Sequence, residues 1–469
     1  MHRRPLSVSV CHRGNVRHVH EREGRRSMVK QVEVVATALV APSEATPRQP
    51  LWLSNLDLAV PRTHTPLVYY YPPAPHAGTG AFAPDRMKAA LARALVPFYP
   101  LAGRLGSGLD GRLQIECNGE GALFVVARTN DLTGDEIFQD YVPSPEIRRA
   151  FVPSAQAGQE PCPLAMFQVT FLGCGGVVLG TAIHHAVMDG VGAFQFVQTW
   201  AGFARGLDAA DACNPTPFHD RTLLRARSPP RPAFDHFVYS PAFLGGRAAR
   251  PYVTRVYPVS PKLLADLKSR CAGAGGVSTY CAVAAHLWRC VCVARGKAPG
   301  ADTRLGLPAN VRHRVSPPLP RGYFGNAVVR DLVAARVGDL LGSSLGSVAE
   351  TIRKAVDGVG DAFVRSVVDY LELELGKNKE GGADSDNKEA AAREELVPAS
   401  DLWAVSWLGM AMYDADFGSG APRFVAPAQM FGIGTAYMTP CANRDDGIIV
   451  LFSIEAEYIE CFEKVFYGE

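Results

Sequence analysis

Val177-Val-Leu-Gly-Thr-Ala-Ile-His184-His185-Ala-Val-Met-Asp189-Gly190 is the stretch on which the reading of the fold turns. Its opening, Val177–Ile183, is apolar and rich in β-branched side chains, as a central strand requires. The strand runs out at two histidines, where a side chain can reach into a cleft. Histidine's ordinary pKa of about 6.5 suits a general base. The bland alternative is a packed strand-end histidine. Neighbouring strand positions point to opposite faces, so His184 and His185 are not expected to share an ion. His-His-x-x-x-Asp also lacks the third ligand of a metal site, and no metal is expected.

Working outward, Pro161 to Met188 is the longest run without Asp, Glu, Lys or Arg. Prolines, glycines, Gln168 and two histidines break it, so it reads as two buried strands and not as a membrane span. A helix is expected from about Ala193 to Ala204. Upstream, Pro84–Leu95 places Met87, Leu91, Ala94 and Leu95 on one helical face, and Pro97 ends it. Leu113–Cys117 and Ala122–Ala127 read as a hairpin around Asn118-Gly119-Glu120-Gly121. The second half repeats the mixture, with a helix over Thr279–Arg295, two helical segments within 346–374, and strands to the C-terminus.

At 469 residues the chain exceeds what one core usually serves, so two domains are expected. Hydrophobic residues make up 47% and charged residues 20%, which excludes a wholly disordered chain and a coiled-coil rod. The net charge of +2 is unevenly placed. Residues 1–28 hold seven Arg against Glu21 and Glu23, about +5, leaving the body near −3. A near-neutral body argues against nucleic-acid binding. The 1–28 extension reads as disordered or as sequence upstream of a true start at Met28, with a transit peptide and a histidine metal cluster as alternatives. The 11 cysteines lack a Cys-x-x-Cys pair, and reduced thiols in a cytoplasmic protein are the expected state. Five prolines between Cys213 and Asp235 mark a linker. The polar stretch 376–395 reads as a flexible loop. The expected organisation is therefore 29–212, a linker at 213–235, and 236–469.

Two motifs resemble catalytic signatures and fail on context. Gly342-Ser343-Ser344-Leu345-Gly346 matches a nucleophile elbow, but no histidine follows His313 to complete a triad. A serine-capped helix start explains it better. Asp416-Phe417-Gly418 matches the kinase magnesium motif, yet no Gly-rich phosphate loop precedes it.

Taken together, His185-x-x-x-Asp189-Gly190 and Asp416-Phe417-Gly418-Ser419-Gly420 resemble the H-x-x-x-D-G and D-F-G-W-G signatures of the plant BAHD acyl-CoA-dependent acyltransferases. Leu51-Trp-Leu-Ser-Asn-Leu-Asp57, His64-Thr-Pro66, Leu95–Arg104, Asp220–Arg227 and Tyr323-Phe-Gly-Asn326 are similar to the hydroxycinnamoyl-CoA shikimate/quinate branch. The resemblance covers Met28 to Glu469. It implies an α/β fold of two chloramphenicol-acetyltransferase-like domains of mixed sheet plus helices, joined by a long crossover loop. A channel between the domains would take acyl-CoA from one face and the acceptor from the other.

The resemblance implies His185 as general base, with acyl-CoA as co-substrate and no permanently bound cofactor. Asp189, Gly190, Asp416, Phe417, Gly418 and Gly420 are implied to be structural, Asp189 through an arginine. His64, Tyr69, Ser406 and Trp407 are candidate pocket residues, with core packing as the alternative for the aromatics. Arg312 and Arg314 are candidate CoA contacts or surface charges. Ser419 replaces the usual Trp. Val405 stands where the shikimate enzymes carry an oxyanion-stabilising Thr, and Leu67 where they often carry Ser. Their carboxylate-clamping arginine has only Arg393 as a counterpart, inside the variable loop.

The resulting expectation is a soluble monomer that moves a hydroxycinnamoyl group from CoA to a small acceptor. It leans to an amine such as putrescine or spermidine. O-acylation of shikimate, quinate or another alcohol is the alternative, and a silent acyl-CoA-binding module is a further one. Neither nucleic acid nor a membrane is an expected partner.

Overall fold

The computed structural model describes residues 32–73, 80–154, 161–240, 243, 251–271, 276–380 and 401–468. The basic extension 1–28, Arg393 and the 381–395 part of the expected loop lie outside the described residues. The apolar runs build two six-stranded mixed sheets. The first has the strand order 33–40, 122–129, 165–172, 177–184, 64–71, 424–427. Its 122–129/165–172 pair is parallel and the rest antiparallel. The second runs 328–336, 302–310, 402–406, 435–440, 448–455, 252–259, with 402–406 parallel to both neighbours. Among the described residues no helix is long and apolar enough to cross a membrane.

Strand Val177–His184 is buried at every position, because both faces are covered. Leu179 and Ile183 pack with Met87 and Leu91 of helix Pro84–Ala94 and with Phe196 and Trp200 of helix Gly190–Ala204. Val178 and Ala182 face the opposite way, towards Ile147 and Phe151. Gly180 sits mid-strand for a steric reason: a Cβ there would lie 1.7 Å from the Phe151 carbonyl oxygen. In the second half, helices Thr279–Ala294 and Leu345–Gly358 pack on the sheet, and Asp361–Glu380 joins the same hydrophobic cluster. Ser344 caps the middle one, its Oγ accepting from the Ser347 amide at 3.1 Å, which disposes of the nucleophile-elbow reading.

Three expectations require correction. Leu113–Glu116 and Ala122–Thr129 do not form a hairpin together. The first pairs with 104–107 and 51–52 in a three-stranded sheet, and the second joins the large sheet. Gly119 and Gly121, both at positive φ, turn the chain between sheets, and the Gly121 carbonyl accepts from Arg104 at 2.9 Å. The range 236–469 is not one packing unit either: Phe424–Pro427 adds an edge strand to the first sheet, beside 64–71. Two phenol hydroxyls draw that segment across, Tyr71 donating to the Ala415 carbonyl at 2.7 Å and Tyr141 to that of Pro427 at 2.7 Å.

The expected loop 376–395 begins as helix, since residues 376–380 continue Asp361–Glu380. Leu375 packs on the core and Lys377 pairs with Glu374 at 2.7 Å, which offsets the cost of Gly376. The Pro-rich stretch 213–235, expected as the linker, is strapped down at both ends. Asp369 accepts from the Arg227 amide at 2.8 Å, Arg227 Nε at 2.7 Å and the Arg231 amide at 2.6 Å. Ser366 Oγ accepts from the Ala233 amide at 2.7 Å. At its other end His219 donates to the Pro97 carbonyl at 2.8 Å and packs on Tyr99 and Phe324.

Candidate active site

The two histidines separate where the strand ends. His184 keeps the strand's alternation and meets His64, its register partner, ring edge to face at 5.2 Å. Its Nδ1 accepts from the Ala186 amide at 3.2 Å, so it serves the turn. Burial first, then the neighbouring His64 and His185, pushes its pKa down to about 3, so His184 is neutral at physiological pH. His185 leaves the strand. Its amide donates to the Thr63 carbonyl at 2.9 Å, and its own carbonyl accepts from Asn326 Nδ2 at 2.9 Å. The residue is half-buried, yet its ring Nδ1 is a buried atom without a partner.

Buried charges hold the loop after His185. Asp189 caps helix Gly190–Ala204 through the Gly192 amide at 3.3 Å. Arg312 grips the same carboxylate in a two-pronged ion pair, at 2.7 and 3.0 Å. The Ala327 amide adds a fourth donor at 3.0 Å. Burial raises the pKa of Asp189, but Arg312 and the two amides outweigh it and hold the carboxyl below its ordinary value. Both oxygens of Asp189 are thus taken up by Arg312 and backbone amides.

A second wholly buried ion pair joins Asp57 to Arg221 at 3.2 Å. Asp57 also accepts from the Asn326 amide at 2.7 Å and Asn326 Nδ2 at 2.9 Å, while Arg221 donates to the Val187 carbonyl at 2.6 Å. Asp57, Arg221 and Asn326 carried no individual role in the sequence reading, although each lies in a segment quoted for the family resemblance. Their signal was charge or amide chemistry inside segments otherwise fit for burial.

The remaining site residues divide. Trp407 is buried against Phe194 at 5.9 Å and Tyr437 at 4.8 Å between ring centroids, and shares its cluster with Val405, Met410 and Tyr69. A Cβ on Gly190 would lie 3.2 Å from Met410 Sδ, so that glycine lets the two halves close on each other. Tyr69 is 1% exposed and its hydroxyl has no partner. Burial drives its pKa far up, so the phenol stays protonated.

His64 is placed with His184 and donates through Nε2 to the Pro163 carbonyl at 2.8 Å. Ser406 turns away from the Val405–Trp407 face: it pairs with Met438, and its Oγ accepts from the Leu408 amide at 3.5 Å. Strand alternation separates it from Trp407. One assignment is corrected. Arg312 is 8% exposed and committed to Asp189, so it is not a free cation for CoA. Arg314 caps the end of helix Leu345–Gly358, donating to the Val359 carbonyl at 3.2 Å and to that of Val356.

The second motif is a turn. Asp416 Oδ1 accepts from the Gly418 amide at 2.7 Å and the Gly420 amide at 2.9 Å, with both glycines at positive φ. Phe417 anchors it, fully buried among Tyr71, Phe82 and Trp200.

Two halves of mixed sheet, a strand-end histidine bonded through its backbone, and the paired His185–Gly190 and Asp416–Gly420 motifs are those of an acyltransferase of the BAHD type. The comparisons agree. The model of the Transferase family matches residues 30–468, and the chain belongs to that family. It is 46% identical over 451 residues to putrescine hydroxycinnamoyltransferase 1 of Oryza sativa subsp. japonica, covering 93% of this chain and 99% of the relative. It is 36% identical to shikimate O-hydroxycinnamoyltransferase of Nicotiana tabacum, covering 93% and 99%. The crystal structure of vinorine synthase shares the fold, with a TM-score of 0.70 at 20% identity over 93% of this chain and 98% of that one.

Proposed function

We propose that this protein transfers a hydroxycinnamoyl group from CoA to an aliphatic amine, putrescine or spermidine being the type of acceptor, with His185 as general base. The observation that carries the reading is the likeness to the putrescine enzyme, 46% identical against 36% for the shikimate enzyme. The site supports the same preference. A carboxylate acceptor calls for a bidentate arginine. The Nη donors of Arg221 and Arg312, which bracket the His185 loop, are instead committed to Asp57, Asp189 and backbone carbonyls.

In this reading the acceptor nitrogen attacks the thioester carbonyl carbon while His185 takes its proton. The C–N bond forms, the tetrahedral oxyanion collapses, and the C–S bond breaks. CoA leaves as a thiolate and takes the proton back from His185, so no acyl-enzyme is needed. Trp407 walls the acyl group. The unpartnered Tyr69 hydroxyl offers a hydrogen bond to the hydroxyl at the far end of a hydroxycinnamoyl ring, since a buried phenol without a partner is costly until one arrives. Val405 cannot donate to the oxyanion. The reading extends to a cytoplasmic monomer in which acyl-CoA is a passing co-substrate.

The test supplies p-coumaroyl-CoA with putrescine, spermidine, shikimate or quinate in separate reactions, with products followed by mass. An amide is expected, falling by about 10²- to 10⁴-fold in His185→Ala. A shikimate or quinate ester as main product would overturn the amine assignment. Acyl-CoA binding without any product would make the protein a binding module.

A further inference from the structure

A cleft of about 490 Å³ opens among the helices of the second half. Its lining comes from helix Pro261–Ser269 and Arg270, from one face of helix Thr279–Ala294, and from the last turn of helix Ile459–Tyr467. Neither His185, Tyr69, Trp407 nor any residue of the Asp416–Gly420 turn lines it. Most of the wall is apolar, and two large side chains in it stay open, Val293 at 40% and Tyr467 at 43% exposure.

Charge inside the cleft does not cancel. Arg270 and Arg289 both line it, against Asp266 as the one carboxylate in the lining. The Arg270–Asp266 contact is loose, 3.8 Å between side chains 49% and 58% exposed, so it ties up little of the Arg270 guanidinium. Arg289 is half-buried, and its Nη groups donate to the Ser343 carbonyl at 2.7 Å and the Leu341 carbonyl at 2.8 Å. Those bonds hold the guanidinium in place, but no ion pair answers its charge among the described residues.

Both cations act on one buried ring. His286 donates through Nε2 to the Phe466 carbonyl at 2.8 Å. Burial lowers its pKa first, the Phe466 bond opposes that, and Arg270 and Arg289 lower it further, so the ring is neutral. Two guanidiniums and one carboxylate then leave the cleft with one positive charge in excess. That suits a monoanion with an apolar body. A phosphate monoester, carrying close to two negative charges, is a poorer match than a carboxylate. The half-open Tyr467 ring, set edge to face with Phe466 at 5.0 Å, adds an aromatic surface.

We propose that this cleft binds a small aromatic carboxylate, its ring against Val293 and Tyr467 and its carboxylate between Arg270 and Arg289. The volume lies in the range of small-molecule sites. The proposal stands apart from the acyl-transfer reading, because the cleft shares no residue with the His185 site.

The experiment titrates p-coumarate into the full chain by calorimetry. Binding is expected, and saturating p-coumaroyl-CoA should not displace it. Val293→Glu sets a carboxylate into the wall and Arg270→Ala removes one cation. Each should weaken binding about 10- to 100-fold, since a charge-assisted contact is lost or opposed. Both positions are substantially exposed, so both variants should fold and keep their acyl transfer, which is scored separately. Absence of binding, displacement by p-coumaroyl-CoA, or unchanged affinity in the two variants would overturn the proposal. Hexanoate binding as tightly as p-coumarate would overturn the aromatic assignment.

Discussion

The two motifs that mark this family are built on opposite principles. The His185–Asp189 loop hangs on two buried ion pairs, Asp189–Arg312 and Asp57–Arg221, with partners 123 residues apart in the first case. The Asp416–Gly420 turn is closed by its own half-exposed carboxylate and two glycine amides and pinned by Phe417, while Arg205 donates to the Asp416 carbonyl and lies 3.9 Å from its carboxylate. One is wired into both halves of the molecule by buried charge, the other is a half-exposed clasp with one long-range partner, Arg205. Removing a charge from the first leaves a buried partner uncompensated, whereas the second sits beside solvent.

The sharpest way to break this contrast is to neutralise each aspartate. Asp189→Asn strands the Arg312 guanidinium in the interior and should cost about 3–5 kcal/mol, read by denaturant unfolding. Arg312→Met should cost a similar amount by stranding the carboxylate. The double variant should then be markedly more stable than the sum of the two losses requires. Additive losses would mean the pair is not coupled, and the contrast with Asp416 would collapse.

The strap at 213–235 extends the wired region to a titratable group. His219 is pushed down to about 4, by burial first, then opposed by its bond to Pro97 and helped by Arg221. Its folded pKa lies below the unfolded value of about 6.5, so the unfolded chain binds more protons between the two. Stability is therefore complete above about pH 6.5 and is lost as pH falls towards 4, by on the order of 2–3 kcal/mol from this residue. His184, at about 3, acts in the same direction. His219→Gln keeps an N–H for the Pro97 carbonyl but cannot titrate. Its unfolding midpoints should fall less steeply over that window, and an unchanged slope would show that the strap carries no pH-dependent load.

Most of the fold was legible because most of it is local. The periodicity of Pro84–Leu95, the apolar runs on either side of Gly173-Cys174-Gly175-Gly176 and the Ser344 cap all appear where the sequence places them. What misled was partner choice. Leu113–Cys117 and Ala122–Ala127 look like a hairpin because two short strands flank an Asn-Gly turn, yet no local pattern says that they enter different sheets. The site divided in the same way. His185 and Asp189 stand out by motif, and the separation of Ser406 from Trp407 follows from strand alternation. Arg312 was misassigned because an arginine near a Pro-rich turn looks exposed. Its burial depends on Asp189, 123 residues earlier. Asp57, Arg221 and Asn326 acquire their roles only once three distant segments meet.

The half-exposed clasp should tolerate changes that the wired loop does not. Asp416→Asn keeps Oδ1 as acceptor for the Gly418 and Gly420 amides, so it should cost no more than about 1 kcal/mol. Beside it, Ser419 gives the smallest effect and the finest test. Its Oγ is buried without a partner, where a family member usually carries Trp. An unpaired hydroxyl contributes nothing and costs its desolvation, so Ser419→Ala should be neutral or stabilising by up to about 1 kcal/mol. Acyl transfer should be unchanged, because Asp416 and Phe417 hold the turn without it. A clear loss of stability in Ser419→Ala would mean that the hydroxyl is bonded in solution and that the turn is a network after all. The distinction between a wired loop and a half-exposed clasp would then be one of degree.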